Sequence, residues 1–195
     1  MPNALVTGSP ERVSDIAIAL KTAGFDILSA GAISPEDVPD LEDSSIDCYV
    51  QLPMDPPAPG GGALRRARDV IAHEMVSRFD AAAQFLPLLA PTATVLLVTE
   101  GFDGVDEPAG RVDPDQKAVR TIVGVLAEAI LRDCGRSGLR TAVVAEDRAP
   151  YEIAALASHR PPEPLPWWLY AGVDPELDFA DWRDSILCLA SLRNG

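Results

Sequence analysis

The sequence contains few of the residues that hold transition metals or form disulfides. It has only two histidines and three cysteines, and the cysteines (Cys48, Cys134 and Cys188) are far apart, with no CxxC pair. A zinc site needs about four Cys or His ligands at short, characteristic spacings, so no such site is expected. We therefore predict reduced thiols that are buried in the protein, and no metal.

Long apolar runs and excess positive charge are also missing. No apolar run reaches the roughly 18–20 residues that span a bilayer. The N-terminal MPNALVTG has no basic residue before its apolar stretch, so it is not expected to be a signal peptide. The formal net charge of -14 would repel phosphates. These features predict a cytoplasmic protein that binds neither nucleic acid nor membranes.

What the sequence does contain is an alternation of two kinds of apolar segment. Short runs rich in valine, leucine and isoleucine predict β-strands, and longer segments with apolar residues three and four positions apart predict amphipathic helices. This alternation is typical of a doubly wound, mostly parallel α/β sheet of the Rossmann type, here in a single domain over residues 1–195. The predicted strands are 3–7, 25–29, 47–52, 94–99 and 139–145, and the predicted helices are 11–23, 63–89, 115–134, 153–158 and 181–192.

Several of these segments resemble the short-chain dehydrogenase/reductase family. The opening ALVTGSPERVSDIAIALKTAGFDILSAG resembles the family's start, LVTGxxxGxG, and DCYVQ stands where the family has the strand before its Asn-Asn-Ala-Gly motif. EMVSRFDAAAQFLPLLAPTATVLLVTEG and QKAVRTIVGVLAEAILRDCGRSGLRTAVVA resemble the helices and strands that carry the family's catalytic residues. The resemblance covers the chain except residues 33–46 and 146–180, and it implies a fold that binds NAD or NADP.

The positions that bind the dinucleotide in this family are altered here. Thr7 and Gly8 match the motif, but Arg12 and Ser14 stand at its second and third glycines, where the backbone must approach the pyrophosphate. Arg12 would either bind a phosphate from outside or be a solvated arginine on a tight turn. Only 16 residues (31–46) follow the second strand, too few for the helix and strand that wall the adenine pocket in the family. The sheet is thus predicted to lack those elements, and no cofactor is expected.

Three further segments of the family's site are also altered. The Asn-Asn-Ala-Gly motif reads Gln51-Leu52-Pro53-Met54, where the proline has no backbone donor and a fixed φ. The Pro-Gly turn that contacts nicotinamide reads Glu146-Asp147, whose carboxylates would repel a pyrophosphate. The asparagine that relays protons in the family falls near Glu74.

The catalytic residues that the resemblance implies are missing as well. The family's tyrosine and lysine, four residues apart, fall on Val112 and Gln116. A register slipped by one residue would use Lys117 but would put Asp113 at the tyrosine. The serine position corresponds to Thr99, which keeps a hydroxyl. Without the tyrosine, hydride transfer lacks its proton donor, so the sequence argues against an ordinary reductase.

A chain that keeps this scaffold but lacks the catalytic residues can still bind another protein through its surfaces. In the family, the two long helices, here 63–89 and 115–134, form a four-helix bundle with a neighbouring subunit. The residues at 81–83 and at 119, 123 and 127 would permit close packing of these helices; alternatively, their faces simply pack on the sheet. We therefore hypothesise a non-catalytic partner or regulatory subunit of an active short-chain dehydrogenase/reductase.

Other functions stay open on sequence grounds. The protein could be a divergent NAD(P)-dependent oxidoreductase, a Rossmann protein that binds another small molecule, or a self-associating scaffold. No GxSxG elbow surrounds Ser9, which argues against a serine hydrolase. Gly60-Gly61-Gly62 lacks the Lys-Ser/Thr that completes a phosphate loop, which argues against a P-loop enzyme.

Overall fold

Parallel strands form one sheet in the part of the chain that the computed structural model describes, namely residues 1–31, 38, 45–53, 65, 68–69, 71–99, 114–134, 139–145 and 149–158. The strands are β1 Asn3–Thr7, β2 Asp26–Ala30, β3 Ile46–Gln51, β4 Leu89–Thr99 and β5 Arg140–Ala145. Their order across the sheet is β2-β1-β3-β4-β5, and every neighbouring pair is parallel. The predicted α/β sheet is confirmed.

Helices cover both faces of this sheet. One face packs against α1 (Pro10–Thr22), and the other packs against α2 (Ser77–Phe85) and α3 (Pro114–Cys134). The last described helix, α4 (Pro150–Ser158), lies beside α1 on the first face. This is the predicted doubly wound arrangement. None of the described helices is both long and apolar enough to cross a membrane.

The strands are buried on both sides, which explains their continuous apolar runs. In β3, Cys48 and Val50 pack with α1 and α4, whereas Tyr49 packs with α2 and α3. All three side chains are fully buried. A parallel strand between two helical layers has no solvent-facing side, so it does not alternate polar and apolar residues.

The chain changes direction across the sheet between β1 and β3. β2 lies on one side of β1 and β3 on the other, so β2 forms one edge of the described sheet and β5 forms the other. No strand lies between β2 and β3 in the described ranges, which include only residues 31, 38, 45 and 46 of the 31–46 segment. Val38, within that segment, is 4% exposed and belongs to the core beside α2 and α3. An apolar residue of the shortened connection thus helps to cover the sheet.

Two predicted boundaries near residue 89 are wrong. The helix predicted to reach Leu89 gives way to a 3-10 turn at Leu86–Leu88, because Pro87 cannot continue the α-helical hydrogen bonding. The strand predicted to begin at Thr94 already begins at Leu89. Leu89 and Ala93 are fully buried, so the extended backbone before the apolar run is held by core packing.

The remaining predicted elements divide into two groups. The predictions for α1, α3, α4 and β5 agree with the structure within a few residues at each end. The predicted helix 181–192 and most of the 31–46 segment lie outside the described residues.

The turn after β1 packs closely on the segment after β3. Leu52 donates its N–H to the Thr7 carbonyl at 2.8 Å, and Ser9 donates its N–H to the Pro53 carbonyl at 3.0 Å. Gly8 lies between these bonds with a φ of +125°, and a Cβ added there would be 2.6 Å from the Leu52 Cβ. The positive φ and the close contact both favour glycine at this position.

Alanine substitutions at Gly8 and Gly24 should separate these two effects. Gly24 also has a positive φ, +94°, but nothing lies within 4 Å of an added Cβ. Gly24→Ala should therefore lower the unfolding free energy by about 1–2 kcal/mol through backbone strain alone. Gly8→Ala should cost about 1–3 kcal/mol more, because Leu52 must also move. Urea denaturation measures both losses, and equal losses would contradict the contact.

A second prediction concerns the stability of the protein at high pH. Burial raises the pKa of the Cys48 thiol from 9.0 to about 12, and the nearby Arg140 charge opposes this shift only in part. The unfolded chain therefore releases this proton first, so the unfolding free energy should fall as the pH rises from 9 towards 12. Below this window the contribution is fully present.

Cys48→Ala is the test of that prediction, because alanine does not titrate. Its unfolding free energy should decline less steeply across the window, by up to about 1.4 kcal/mol per pH unit. Urea denaturation of both proteins at a series of pH values gives the two curves. Parallel curves would show that Cys48 does not govern this dependence.

Candidate functional site at the carboxyl edge of the sheet

The carboxyl ends of β1, β3 and β4 meet where a Rossmann fold places its ligand. In open α/β sheets the ligand crevice lies where the strand order reverses, here between β1 and β3. Thr7, Gln51 and Thr99 end these three strands. Since side chains alternate along a strand, all three face the layer formed by α2 and α3. This edge is the candidate functional site.

The N-terminus of α1 borders this edge and offers few backbone donors. Pro10, at the start of the helix, has no N–H. The N–H groups of Arg12 and Val13 already donate to the Ser9 carbonyl, at 3.3 and 3.2 Å. A phosphate at this helix end would thus find little of the backbone hydrogen bonding that normally holds it.

The four cofactor positions named from the sequence fall into two pairs. Thr7 and Gly8 lie at the edge itself, with Thr7 buried and Gly8 pressed against Leu52. Arg12 and Ser14 are both helical residues of α1. Ser14 is exposed to solvent and Arg12 is partly buried. The structure therefore brings only the first pair to the strand ends.

A group of buried polar side chains lies beneath this edge, and we call it the edge cluster: Thr7, Tyr49, Gln51, Arg78 and Thr99. Each is at most 2% exposed. The hydroxyls of Thr7 and Tyr49 share a hydrogen bond of 3.1 Å. The Gln51 amide donates to the Tyr49 hydroxyl and to the Arg78 carbonyl, both at 3.0 Å. The Arg78 guanidinium donates to the Val98 carbonyl. The edge cluster thus ties β1, β3 and β4 to α2.

Sequence reasoning gave Arg78 no role, although it is among the largest fully buried side chains. The buried residues of α2 are Arg78, Ala81, Ala82 and Phe85, which follow helical spacing. A charged residue within an otherwise apolar helical stripe is the signal that identifies it. A buried guanidinium must be hydrogen-bonded to offset its desolvation, so such a residue indicates polar groups nearby.

Tyr49 is a poor acid in this environment. Burial raises the pKa of its phenol, and the hydrogen bonds to Thr7 and Gln51 and the charge of Arg78 oppose that shift only in part. A general acid–base tyrosine works best with a pKa near the operating pH, which requires a lowered value. The Tyr49 ring also packs on Phe85, with centroids 5.7 Å apart. These surroundings suit a structural residue better than a proton donor.

Three positions correspond to the family's catalytic residues without matching them, and the structure places the side chain of only one of the three. Thr99 is fully buried at the end of β4. Gln116 lies in the first turn of α3, and Val112 lies outside the described residues. Glu74, near the family's asparagine position, falls in a π-helical segment, Ile71–Val76, that precedes α2. Such segments often occur at functional sites.

Two carbonyl or hydroxyl oxygens of the edge cluster, the Gln51 Oε1 and the Thr99 Oγ1, are buried without a hydrogen-bond partner among the described residues. An unsatisfied buried polar atom costs roughly 1–3 kcal/mol, so these atoms have hydrogen-bonding capacity that a water molecule could use.

The other predicted features of the site are not placed. Met54, Asp113 and Glu146-Asp147 lie outside the described residues. Within the described ranges, no three His, Cys, Asp or Glu residues come close enough to share a metal ion.

Comparison with known proteins bears on the fold. No family model and no curated protein matches this chain. Among solved structures, protein lin1944 from Listeria innocua is similar over 80% of this chain and 92% of its own, with a TM-score of 0.55 and 13% identity. A carbonyl reductase from Pseudomonas aeruginosa PAO1, solved in complex with NADP, is similar over 80% of this chain and 90% of its own, with a TM-score of 0.55 and 12% identity.

A third structure gives the same result. A Corynebacterium glutamicum protein assigned to the short-chain dehydrogenases/reductases is similar over 79% of this chain and 88% of its own, with a TM-score of 0.50 and 15% identity. Identities this low establish the fold and leave the activity open. The chain therefore has the Rossmann-like α/β fold of the short-chain dehydrogenases/reductases.

Proposed function

We propose that this protein is a cytoplasmic, non-catalytic partner or regulatory subunit of an active short-chain dehydrogenase/reductase. The observation that carries the proposal is the edge cluster. Its buried side chains join the strand ends and α2 through hydrogen bonds at the place where the fold binds its ligand. The tyrosine of the edge cluster, Tyr49, has a phenol whose pKa is raised by burial. A scaffold organised in this way can bind a partner through its surfaces, although it does not supply the proton donor of a reductase.

Three features of the described residues at the edge argue against dinucleotide binding. Pro10 removes a backbone donor from the start of α1. Leu52 packs against Gly8, so the turn after β1 has no free space on that side. Arg12 and Ser14 add side chains at the two positions where the family's motif has glycine.

Exposed apolar residues on two neighbouring helical segments support a contact surface. Ile71 is 48%, Val76 is 50% and Val125 is 43% exposed. The π-helical segment that contains the first two residues contacts α3, which carries the third. We call these three side chains the apolar surface. A contiguous patch of exposed apolar side chains commonly marks a site of contact with another protein, and we propose that these three form one.

The residues that the sequence suggested for close helix packing are used differently. Ala83 is exposed, but the other five residues lie in the core of this chain and are each at most 5% exposed: Ala81, Ala82, Val119, Val123 and Ala127. Their role is the packing of helices on the sheet, which was the alternative interpretation. The proposed contact is therefore assigned to the apolar surface.

The second candidate function is a divergent NAD(P)-dependent reductase. The likeness to the Pseudomonas carbonyl reductase solved with NADP favours it. The partly buried Arg12 would then be the residue to bind a phosphate from the side of α1.

Titration with NADH and NADPH distinguishes these two functions. We expect no saturable binding at micromolar cofactor, because the start of α1 offers few backbone donors. Arg12→Gly combined with Ser14→Gly should not create binding, since Pro10 and Leu52 remain. Fluorescence titration measures this, with the Pseudomonas reductase as positive control. Micromolar binding by the unmodified protein would reject the non-catalytic role.

Acidic substitutions test the apolar surface. Val76→Asp combined with Val125→Asp should abolish association with a partner subunit, because it would bury charge in an apolar contact. Ile18→Asp is the matched control, since Ile18 is 63% exposed on α1, on the opposite face of the sheet. The three proteins are compared by tagged purification from the native cells, mass spectrometry and light scattering.

The proposal requires a specific outcome. An active short-chain dehydrogenase/reductase should accompany the unmodified protein and the control but not the double variant. Adding the purified protein back should change that enzyme's melting temperature or rate. A monomer without a partner would contradict the proposal, and a homodimer lost in the double variant would replace it with the scaffold function.

A further inference from the structure

A pocket of about 250 Å³ opens at the amino edge of the sheet, at the opposite end of the strands from the edge cluster. Asp47 of β3, Thr94 of β4 and Arg140 of β5 line its floor, and the walls include Phe25 after α1 and Ser158 at the end of α4. Ligands of open α/β sheets usually bind at the carboxyl edge, so the fold itself does not predict this pocket.

The pocket combines one fixed negative charge and one fixed positive charge. Asp47 accepts a hydrogen bond from the Asn3 N–H at 2.8 Å, which holds its carboxylate in place. Arg140 donates to the Thr94 hydroxyl, which holds its guanidinium. Both charges influence the pKa of the buried Cys48 thiol, Arg140 lowering it and Asp47 raising it, so both lie near this residue of β3.

The pocket is also bordered by two helix ends and by apolar side chains. Both α1 and α4 end at the wall, and helix carboxyl ends carry partial negative charge that favours a cation. Phe25 and Ala157, together with Pro2 and Ala23, supply the apolar part of the lining. A ligand that matches these features has a cationic end, an anionic end and a short apolar group.

We propose that this pocket binds a small aliphatic α-amino acid, with its ammonium on Asp47, its carboxylate on Arg140, and its side chain against Phe25 and Ala157. The volume limits the ligand's size, since 250 Å³ corresponds to roughly eight waters at about 30 Å³ each. L-valine, with eight heavy atoms, suits this space. The site is independent of the proposed partner role, because it uses none of the residues of the edge cluster or the apolar surface.

Calorimetric titration of the full chain with three probes tests the charge requirement. L-valine carries both charges, isobutylamine only the ammonium, and isovalerate only the carboxylate. L-valine should bind at least about tenfold more tightly than either single-charge probe, because each lost charged hydrogen bond is worth roughly that factor. Equal affinity for the three probes, or no binding of L-valine at millimolar concentration, would overturn the proposal.

Two charge-removing variants and two matched controls locate the binding. Asp47→Asn and Arg140→Gln should each weaken L-valine binding at least about tenfold. Asp15→Asn on the exposed side of α1 and Arg132→Gln near the end of α3 remove the same charges elsewhere and should have no effect. Unchanged binding in both pocket variants would overturn the site.

Amide NMR of the unmodified protein provides a readout that does not depend on folding of the variants. L-valine should shift the amide signals of pocket residues such as Phe25 and Ser158 and leave those of Gly8 and Thr99 unchanged. Shifts confined to Gly8 and Thr99 would place the ligand at the carboxyl edge and reject the proposal.

Discussion

The hydrogen bonds between β1 and β3 are the contacts on which the rest of the described structure depends. β1 pairs with β2 on one side and with β3 on the other, so this seam joins the two halves of the sheet. The seam continues beyond the strands through the bonds from Leu52 to Thr7 and from Ser9 to Pro53. These bonds hold the turn after β1 against the segment after β3. Gly8 therefore has no space for a side chain, and the ends of the two strands lie side by side. The geometry of the carboxyl edge follows from this seam.

The edge cluster shows how a Rossmann scaffold can hold its strand ends together with its own polar side chains. A buried guanidinium and a buried phenol are costly to desolvate, and hydrogen bonds offset that cost only when their partners are well placed. Gln51 bridges the two by donating to the Tyr49 hydroxyl and to the Arg78 backbone. Such a network favours one arrangement of β1, β3, β4 and α2. A rigid arrangement of this kind suits a protein that presents a surface to a partner, as we propose.

The two ends of the sheet have different chemical character. At the carboxyl edge, the described polar groups are buried and largely bonded to one another. At the amino edge, Asp47 and Arg140 line a pocket between the ends of two helices. The fold normally places its ligand at the first of these edges. In this chain the described residues leave the second edge better equipped to bind a small charged molecule, which is the basis of the amino-acid site that we propose.

The sequence by itself determined the class of fold, the succession of strands and helices along the chain, and the short connection between β2 and β3. These features depend on local periodicity and on segment length, which need no knowledge of distant residues. It also identified Thr7, Gly8 and Thr99 as residues of the candidate site, through the resemblance to a known family. Only the tertiary structure decided which side chains are buried, where the strand after Leu88 begins, and which polar groups meet. Arg78 and Gln51 are 27 positions apart and meet only because α2 packs on β3. The role of Arg78 depends on that packing, as does the core position of Val38, so sequence spacing could not predict them.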